Sequence, residues 1–197
     1  MQIVLASSNP GKIREIQEIL TEYTILPQSA FCVQDAVETG KTFIENAIIK
    51  ARNAAMYCNL PTLADDSGLV VDALNGAPGV ISARYAGVGA SDRDNLNKLL
   101  QELKNVPEAL RTARFICVMV YMQHANDPCP IIAQGVWEGK ILDQAMGENG
   151  FGYDPIFWVP ELHCSSAELP PSVKNSLSHR GKALQVLSQN IKQAYFA

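Results

Sequence analysis

The stretch that decides the fold lies at the start of the chain and reads Ile3-Val4-Leu5-Ala6-Ser7-Ser8-Asn9-Pro10-Gly11-Lys12. Its first part, Ile3–Ala6, is a short apolar run, which is typical of a buried strand. The apolar residues that follow recur at helical spacing: Ile13, Ile16, Ile19 and Leu20. The other face of this helix is polar: Arg14, Glu15, Gln17 and Glu18. The segment therefore predicts a buried strand that leads directly into an amphipathic helix.

Three further helices are predicted from capping residues and apolar spacing. Thr42 with Glu45 forms a capping box, and Ser91 with Asp94 forms a second one. The first of these helices has an apolar face made of Ile44, Ala47, Ile48, Ala51, Ala55 and Cys58. Ser178 can cap a last helix, whose apolar face holds Leu184, Leu187 and Ile191.

The remaining apolar runs predict strands. Thr62–Ala64 and Leu69–Val71 form two strand pieces on either side of two aspartates, and Ala113–Met122 with Ile131–Trp137 indicates a hairpin. A glycine-rich loop leads to a further strand, Ile156–Val159. Strands and helices alternate early in the chain while the middle holds a hairpin. The predicted class is therefore α/β, a mixed central sheet flanked by helices, and no repeat or linker divides residues 1–197 into separate domains.

Composition excludes several classes of protein. The chain has 197 residues, 47% of them hydrophobic and 18% charged, and is too apolar to be disordered. Its 16 basic and 20 acidic residues give a net charge of −4, which argues against nucleic acid or an anionic membrane as a partner. The longest apolar run, Phe115–Met122, is too short for a membrane helix, and the first residues lack the features of a signal peptide. Five scattered cysteines without a Cys-x-x-Cys pair indicate reduced thiols, so we expect a cytoplasmic protein.

The turn Ser7–Lys12 is a candidate phosphate site. A helix start directs backbone N–H groups and the positive end of its dipole at the preceding loop, and Lys12 adds a charge. An ordinary capped turn is the alternative. A Walker A loop is excluded, because Ala6 stands where that motif has its first glycine and Ile13 stands where it has Ser or Thr.

Two adjacent acids, Asp65 and Asp66, follow an apolar run and precede Gly68. Because neighbouring residues of a strand point to opposite faces, we expect one of them in a site and the other bonded to backbone or to a basic side chain. Glu38 can supply a second ligand to Mg²⁺, a cation that takes one or two carboxylates and shares the phosphates of its substrate. A solvated turn is an equally good interpretation of the pair, and an ordinary loop acid is the better one for Glu38 on composition alone.

Two later segments also carry candidate ligand groups. Lys174, His179 and Arg180 cluster around the start of the last helix, where cations oppose the helix dipole unless an anion or a carbonyl group lies there. In the loop Gly150–Asp154, glycines flank Phe151 and Tyr153, which could stack on a base or simply pack against the core. The cluster of three favours a functional role, whereas the loop leaves both interpretations open.

Together these segments resemble the inosine triphosphate pyrophosphatase family, also called dITP/XTP or non-standard purine nucleoside triphosphate pyrophosphatases. The similarity runs nearly end to end. It rests on the motifs Ser7–Lys12, Glu38–Gly40 with Thr42–Ala47, Ala64–Leu69, Gly76–Gly79 with Ser82–Tyr85, Gly150–Pro155, and Lys174-Asn175 with Ser178–Arg180. Each motif is modest alone, but in this order they are highly specific.

The resemblance implies a two-lobed α/β fold with an active-site cleft, a homodimer, and Mg²⁺-dependent hydrolysis of a 6-oxopurine nucleoside triphosphate to monophosphate and pyrophosphate. It also implies the roles of individual residues. Asp66 is the proton acceptor, and Glu38 and Asp66 bind the metal. The nucleotide contacts are Ser7, Ser8, Asn9, Pro10, Gly11, Lys12, Ser67, Phe151, Gly152, Tyr153, Asp154, Lys174, His179 and Arg180.

Two rival functions remain open. The chain could be a pyrophosphatase that prefers a modified pyrimidine nucleotide. It could also be a nucleotide sensor that binds without turnover, although Lys12, Glu38 and Asp66 together favour an enzyme, since a sensor does not need a base and metal ligands.

Overall fold

The computed structural model describes residues 1–195. Within these residues, seven strands form one mixed sheet in the order β2-β1-β3-β4-β5-β6-β7. The strands are β1 Gln2–Leu5, β2 Thr24–Pro27, β3 Thr62–Val71, β4 Thr112–Met122, β5 Ile131–Ile141, β6 Phe157–Val159 and β7 Cys164–Ser165. The α-helices are α1 Pro10–Ile19, α2 Phe43–Cys58, α3 Asp92–Glu102, α4 Pro171–Leu177 and α5 His179–Tyr195. The predicted class, an α/β fold with a mixed sheet flanked by helices, is confirmed.

Strand β1 lies between two parallel partners. Val4 is paired with Leu26 of β2 on one side and with Thr62 of β3 on the other. Its residues Ile3–Leu5 have no exposed surface, as expected for a parallel strand that is covered on both faces. At the other end of the sheet, β6 is antiparallel to both β5 and β7.

The sequence prediction was wrong about the two strand pieces around Asp65 and Asp66. They are one continuous strand, β3, and both aspartates lie inside it and are buried. Ionised groups can lie in a buried strand only when cations compensate them, and Lys12 and Lys50 lie within ion-pair distance of these two carboxylates. Smaller differences concern strand ends, since β5 continues to Ile141 and β6 begins at Phe157.

The predicted helix starts are confirmed where a local cap defines them. Asn9 caps α1 through its side chain, with Pro10 in the first turn. The two capping boxes, Thr42 with Glu45 and Ser91 with Asp94, are both formed. Helix α5 begins at His179, directly after Ser178. In α2, Ile44 is 41% exposed although its apolar character predicted a buried position.

The chain divides into two compact units. Unit 1 contains Met1–Asp66, Cys117–Gly135 and the described part of the segment that begins at His179. In it, α1 packs against α5, and the core includes Ile3, Leu5, Ile16, Leu63, Met119, Leu184 and Leu187. Unit 2 contains Ser67–Ile116 and Val136–Ser178. Its core includes Leu69, Leu99, Phe115, Trp137, Ile156 and Phe157.

A single two-lobed domain with a cleft stays a prediction. No helix within residues 1–195 is long and apolar enough to cross a membrane.

Candidate active site

The candidate phosphate loop connects β1 to α1 in unit 1. Asn9 Oδ1 accepts hydrogen bonds from the backbone N–H groups of Gly11, at 2.9 Å, and Lys12, at 3.1 Å. Ser7 Oγ accepts one from the N–H of Asn9 at 3.2 Å. The loop therefore has a fixed backbone conformation, in which the cap already uses two N–H groups of the first turn. The segment connects a strand to a helix as predicted, and Lys12 carries its positive charge.

The side chains of Ser8, Asp35 and Gln28 form a ring of hydrogen bonds. Ser8 Oγ donates to Asp35 Oδ1 at 2.6 Å, and Gln28 Nε2 lies 3.1 Å from Ser8 Oγ and 2.5 Å from the same Asp35 oxygen. Ser8 and Asp35 are exposed, whereas Gln28 is buried. The buried amide of Gln28 thus connects the candidate phosphate loop to the segment that leads to Glu38. The sequence analysis did not identify Gln28 or Asp35, and no local pattern distinguishes them.

Asp65 is the centre of a buried ion cluster in unit 1. Its Oδ2 lies 3.1 Å from Lys12 Nζ and 3.1 Å from Arg180 Nη2. Burial by itself raises the pKa of Asp65, but the charges of Lys12, Arg180 and Lys50 outweigh burial and hold the pKa well below its usual value. Asp65 therefore bonds to basic side chains, as one of the two aspartates was expected to do, but Asp66 also bonds to one, Lys50.

Arg180 is enclosed by carboxylates. Its Nη1 donates to Glu15 Oε2 at 2.5 Å, and only 2% of the residue is exposed. Burial lowers the pKa of Arg180, but Asp65 and Glu15 among its neighbours raise it well above its usual value, so the guanidinium stays charged. The expected anion at the start of α5 is thus supplied by the protein itself.

The placement of Glu15 corrects the sequence analysis. Helical periodicity put it on the polar outer face of α1, yet it is buried, with 8% of its surface exposed. Helical periodicity predicts that a charged residue is exposed, because an unpaired charge is costly to bury. It cannot indicate a partner that comes from a distant part of the chain. Here Arg180 compensates the charge across 165 positions of sequence.

Asp66 and Glu38, the two predicted metal ligands, share one cation. Lys50 Nζ lies 2.7 Å from Asp66 Oδ1 and 3.1 Å from Glu38 Oε1. Burial raises the pKa of Asp66 and Lys50 opposes that effect, but the net pKa is above the usual value. The pKa of Lys50 is itself raised, because the attraction of Asp65, Asp66 and Glu38 exceeds the effect of burial.

Lys50 is a candidate site residue that the sequence analysis missed. A signal for it was present in the helix pattern: Lys50 follows Ala47 and precedes Ala54 at helical spacing on α2, and both alanines are fully buried. A charged residue inside an otherwise apolar stripe indicates a buried partner or a functional site.

The carboxylates of Glu38 and Asp66, which meet at Lys50, have the chemistry that Mg²⁺ prefers. Among the described residues, no group of three or more His, Cys, Asp or Glu side chains could hold a metal. Mg²⁺, however, takes one or two carboxylates and completes its shell with water and substrate phosphates. Glu38 and Asp66 are two such carboxylates, and Asp66 Oδ2 is a buried oxygen without a hydrogen-bond partner among the described residues. Both carboxylates are therefore chemically suited to the ion.

Unit 2 holds its own polar cluster, centred on Asp154. Asp154 Oδ2 accepts from Lys174 Nζ at 2.6 Å and from the N–H of Phe151 at 2.8 Å, while Oδ1 accepts from Ser166 Oγ at 2.8 Å. Lys174 Nζ also lies 5.0 Å from the centre of the Phe151 ring. These contacts give the predicted loop a defined conformation, and Ser166 is a further member that the sequence analysis did not identify.

The neighbouring residues of the loop are also held in place. The N–H of Gly152 donates to Asp92 Oδ2 at 2.7 Å, and the hydroxyl of Tyr153 donates to the carbonyl of Ser82 at 2.8 Å. Tyr153 is buried and belongs to the hydrophobic core of unit 2, so the core-packing interpretation applies to this ring.

The predicted site residues fall into two sets. Unit 1 holds Ser7–Lys12, Glu38, Asp66, His179 and Arg180, whereas unit 2 holds Ser67, Phe151–Asp154 and Lys174. In unit 1, Lys12 and Arg180 meet at Asp65, and Glu38 and Asp66 meet at Lys50. In unit 2, Phe151, Asp154 and Lys174 are in mutual contact. Nucleotide contacts by any of these residues stay predictions.

Comparisons with known proteins cover almost the whole chain. A relative from Vibrio cholerae is 61% identical over 194 residues, which is 98% of this chain and 97% of the relative. A relative from Vibrio parahaemolyticus is 62% identical over 188 residues, 94% of each chain. Both are described as dITP/XTP pyrophosphatases.

Solved structures give the same result. A HAM1 protein from Coxiella burnetii superposes with a TM-score of 0.91 at 52% identity and covers 98% of this chain and 99% of its own. The Ham1 protein of Staphylococcus aureus has a TM-score of 0.87 at 42% identity, covering 98% of this chain and 100% of its own. A family model described as the Ham1 family matches residues 3–190. The resemblance deduced from the motifs is thus confirmed, and the chain belongs to the Ham1 family.

Proposed function

We propose that the protein is a nucleoside-triphosphate pyrophosphatase that hydrolyses the non-standard purine nucleotides dITP, ITP and XTP or dXTP to the monophosphate and pyrophosphate. Such an enzyme removes deaminated purines before a polymerase can incorporate them. The observation that carries the proposal is an ion cluster of unit 1 made of two groups that meet at the adjacent residues Asp65 and Asp66: Lys12 pairs with Asp65, and Lys50 pairs with Asp66 and Glu38. Relatives described as dITP/XTP pyrophosphatases, at 61% and 62% identity, support the same activity.

The cluster matches what the reaction requires. Attack of water on the α-phosphorus with pyrophosphate as the leaving group depends mainly on positioning and on neutralisation of phosphate charge. Lys12 lies at the start of α1, so its ammonium and the positive end of the helix dipole act on the same region. Asp65 fixes Lys12 through the contact at 3.1 Å and stays ionised because its pKa is low.

Asp66 is suited to accept the proton of the attacking water. Burial raises its pKa, which makes the carboxylate a stronger base than an exposed aspartate. Glu38 and Asp66 would hold Mg²⁺, which when bound neutralises phosphate charge and polarises the phosphorus–oxygen bonds. Acceptance of the water proton by Asp66 as a general base would contribute typically ~10²–10⁴-fold to the rate.

Base selectivity follows from matching donors to acceptors. Hydrogen-bond donors that face a 6-oxo group would also face the amino group of adenine, and a buried mismatch of that kind costs roughly 1–3 kcal/mol. The donors predicted to face the 6-oxo group are Arg180, His179 or N–H groups of the loop Gly150–Asp154. A homodimer stays a prediction of the resemblance, and a cytoplasmic location stays a prediction from the sequence.

A panel of substrates tests the proposal. Pyrophosphate release is measured with dITP, XTP, dGTP, dTTP and a modified pyrimidine triphosphate, with Mg²⁺ and after its removal by a chelator. We expect the highest kcat/KM for dITP and XTP and no turnover without the metal. Equal or faster turnover of a pyrimidine triphosphate would show that non-standard purine nucleotides are not the preferred substrates. Binding of dITP with Mg²⁺ but without pyrophosphate release would identify a sensor.

A further inference from the structure

We propose that the ammonium group of Lys50 is the counter-ion of Glu38 and Asp66 in the nucleotide-free protein and competes with divalent cations for them. The protein then binds Mg²⁺ weakly by itself and firmly only together with a triphosphate. This inference rests on the proposed function, because it concerns the two carboxylates assigned to the metal.

The geometry places Lys50 between the two carboxylates. Its Nζ lies 2.7 Å from Asp66 Oδ1 and 3.1 Å from Glu38 Oε1, and its side chain is only 14% exposed. Lys50 extends from α2, whereas Asp66 lies in β3 and Glu38 in the segment before α2. One ammonium therefore links two carboxylates from different elements, which is the arrangement that a divalent cation also requires.

Burial makes this competition strong. The side chains of Asp66 and Glu38 are 7% and 23% exposed, so little water screens the charges. Lys50 reduces the formal charge of the carboxylate pair from about −2 to about −1, since each carboxylate carries one negative charge and the ammonium one positive charge. A second cation that enters this space is repelled by the ammonium unless Lys50 moves away.

Asp66 nevertheless retains a ligand atom. Lys50 contacts Oδ1, while Oδ2 is buried and has no hydrogen-bond partner among the described residues. A buried carboxylate oxygen without a partner is costly, and a metal ion or a bound water can satisfy it. Asp66 Oδ2 is therefore suited to coordinate a metal ion, and the metal binds firmly only when the ammonium of Lys50 moves away.

A triphosphate changes this balance. It carries several negative charges that can pair both with the incoming Mg²⁺ and with the displaced ammonium. The flexible four-carbon chain of a lysine permits such a movement without a shift of α2. The metal and the nucleotide are then expected to bind cooperatively, each increasing the affinity for the other by the same factor.

The test measures metal binding directly. Mn²⁺ alone is titrated into the full chain, and free Mn²⁺ is followed by electron paramagnetic resonance for the wild type, Lys50→Met, Lys50→Arg and Lys98→Met. Lys98 is the control because it also lies on a helix and pairs with a glutamate, Glu102, but in unit 2. We expect at least tenfold tighter Mn²⁺ binding for Lys50→Met and affinities near the wild type for Lys50→Arg and Lys98→Met. Equal or weaker binding by Lys50→Met would overturn the proposal.

A second measurement uses only the wild type and covers the case in which Lys50→Met does not fold. The unfolding temperature is measured with millimolar Mg²⁺, with an α,β-methylene analogue of dITP, and with both. The proposal predicts no increase with Mg²⁺ alone and the largest increase with both together. The proposal is contradicted if Mg²⁺ alone raises the unfolding temperature as much as Mg²⁺ and the analogue together. Hydrolysis of dITP by the wild type tests the proposed function separately. Neither the Mn²⁺ titration nor the unfolding temperature depends on turnover, so failure of one proposal can be told from failure of the other.

Discussion

The guanidinium of Arg180, at the start of α5, lies 3.1 Å from Asp65 Oδ2 in β3. The same carboxylate oxygen lies 3.1 Å from Lys12 Nζ at the start of α1. Asp65 thus connects the beginnings of two helices that are far apart in sequence. Since Asp65 also precedes Asp66 in one strand, the position of α5 bears on the position of the proposed phosphate and metal ligands.

Arg180→Met is expected to destabilise the protein strongly. It leaves Glu15 without its cation and removes one of the two cations at Asp65, and breaking a buried ion pair costs roughly 3–5 kcal/mol. Urea unfolding measures the loss. The control Lys192→Met removes an exposed ion pair with Glu22, which is expected to change stability little because water screens the two charges. Equal effects of the two substitutions would show that the buried cluster does not stabilise the fold.

Gly135→Ala is expected to displace the start of α5. A Cβ at Gly135 would overlap the backbone carbonyl of His179 and lie 2.6 Å from the backbone nitrogen of Ala183, so the helix would have to move away from β5. Overpacking of this kind costs typically 1–3 kcal/mol. Because Arg180 follows His179, we also predict a higher KM for dITP. Unchanged stability and an unchanged KM would show that α5 can shift away from β5 without cost to the fold or to substrate binding.

Asp66→Asn is expected to lower kcat for dITP by roughly 10²–10⁴-fold, because the amide cannot accept the proton of water. Nucleotide binding in the absence of Mg²⁺, measured by calorimetry, should be retained. Asp72→Asn is the control, since Asp72 is a partly exposed aspartate of unit 2 that pairs with Arg114. A near wild-type kcat for Asp66→Asn would remove this residue from the catalytic role.

Gln28→Met is expected to raise KM for dITP several-fold while kcat changes less. The substitution keeps the volume of the buried side chain but removes the Nε2 donor that holds Ser8 and Asp35, so the phosphate loop loses one of its supports. A lost hydrogen bond of this kind costs about 1 kcal/mol. Gln34→Met, at an exposed position of the same segment, is the control. A change in kcat alone would contradict a positioning role.

Four of the five cysteines are expected to react in two groups, and Cys164 has intermediate exposure. Cys32 and Cys129 are exposed, whereas Cys58 and Cys117 are buried. Burial raises the pKa of Cys117 from 9.0 to about 12, so at pH 8 its thiol stays protonated in the folded protein. A disulfide exchange reagent should label the exposed pair rapidly and Cys117 only after unfolding.

The raised pKa of Cys117 also predicts the direction of a pH effect. Between pH 9 and 12 the unfolded chain loses the thiol proton while the folded protein keeps it, so the unfolded state binds fewer protons. This group therefore stabilises the fold fully below pH 9, and its contribution falls as the pH rises towards 12. Cys117→Ala should make the decrease in unfolding free energy over this range less steep, which urea titrations at several pH values can measure.

Local interactions explain which elements the sequence predicted correctly. The caps at Asn9, Thr42 and Ser91 bond to backbone groups two or three residues away, so the residues that define these helix starts are adjacent in sequence. The apolar face of α5 was also predicted correctly, because burial of Leu184, Leu187 and Ile191 needs only an apolar surface opposite.

The amino-acid sequence by itself determined the α/β class, the capped helix starts, the family resemblance and the list of candidate residues. Only the tertiary structure decided that Asp65 and Asp66 lie within a strand, that Glu15 is buried, and that Lys50 joins the site. The physical reason is that a charge can be buried only beside its counter-charge. The partners here come from distant parts of the chain, and spacing along the sequence cannot show which charges will meet.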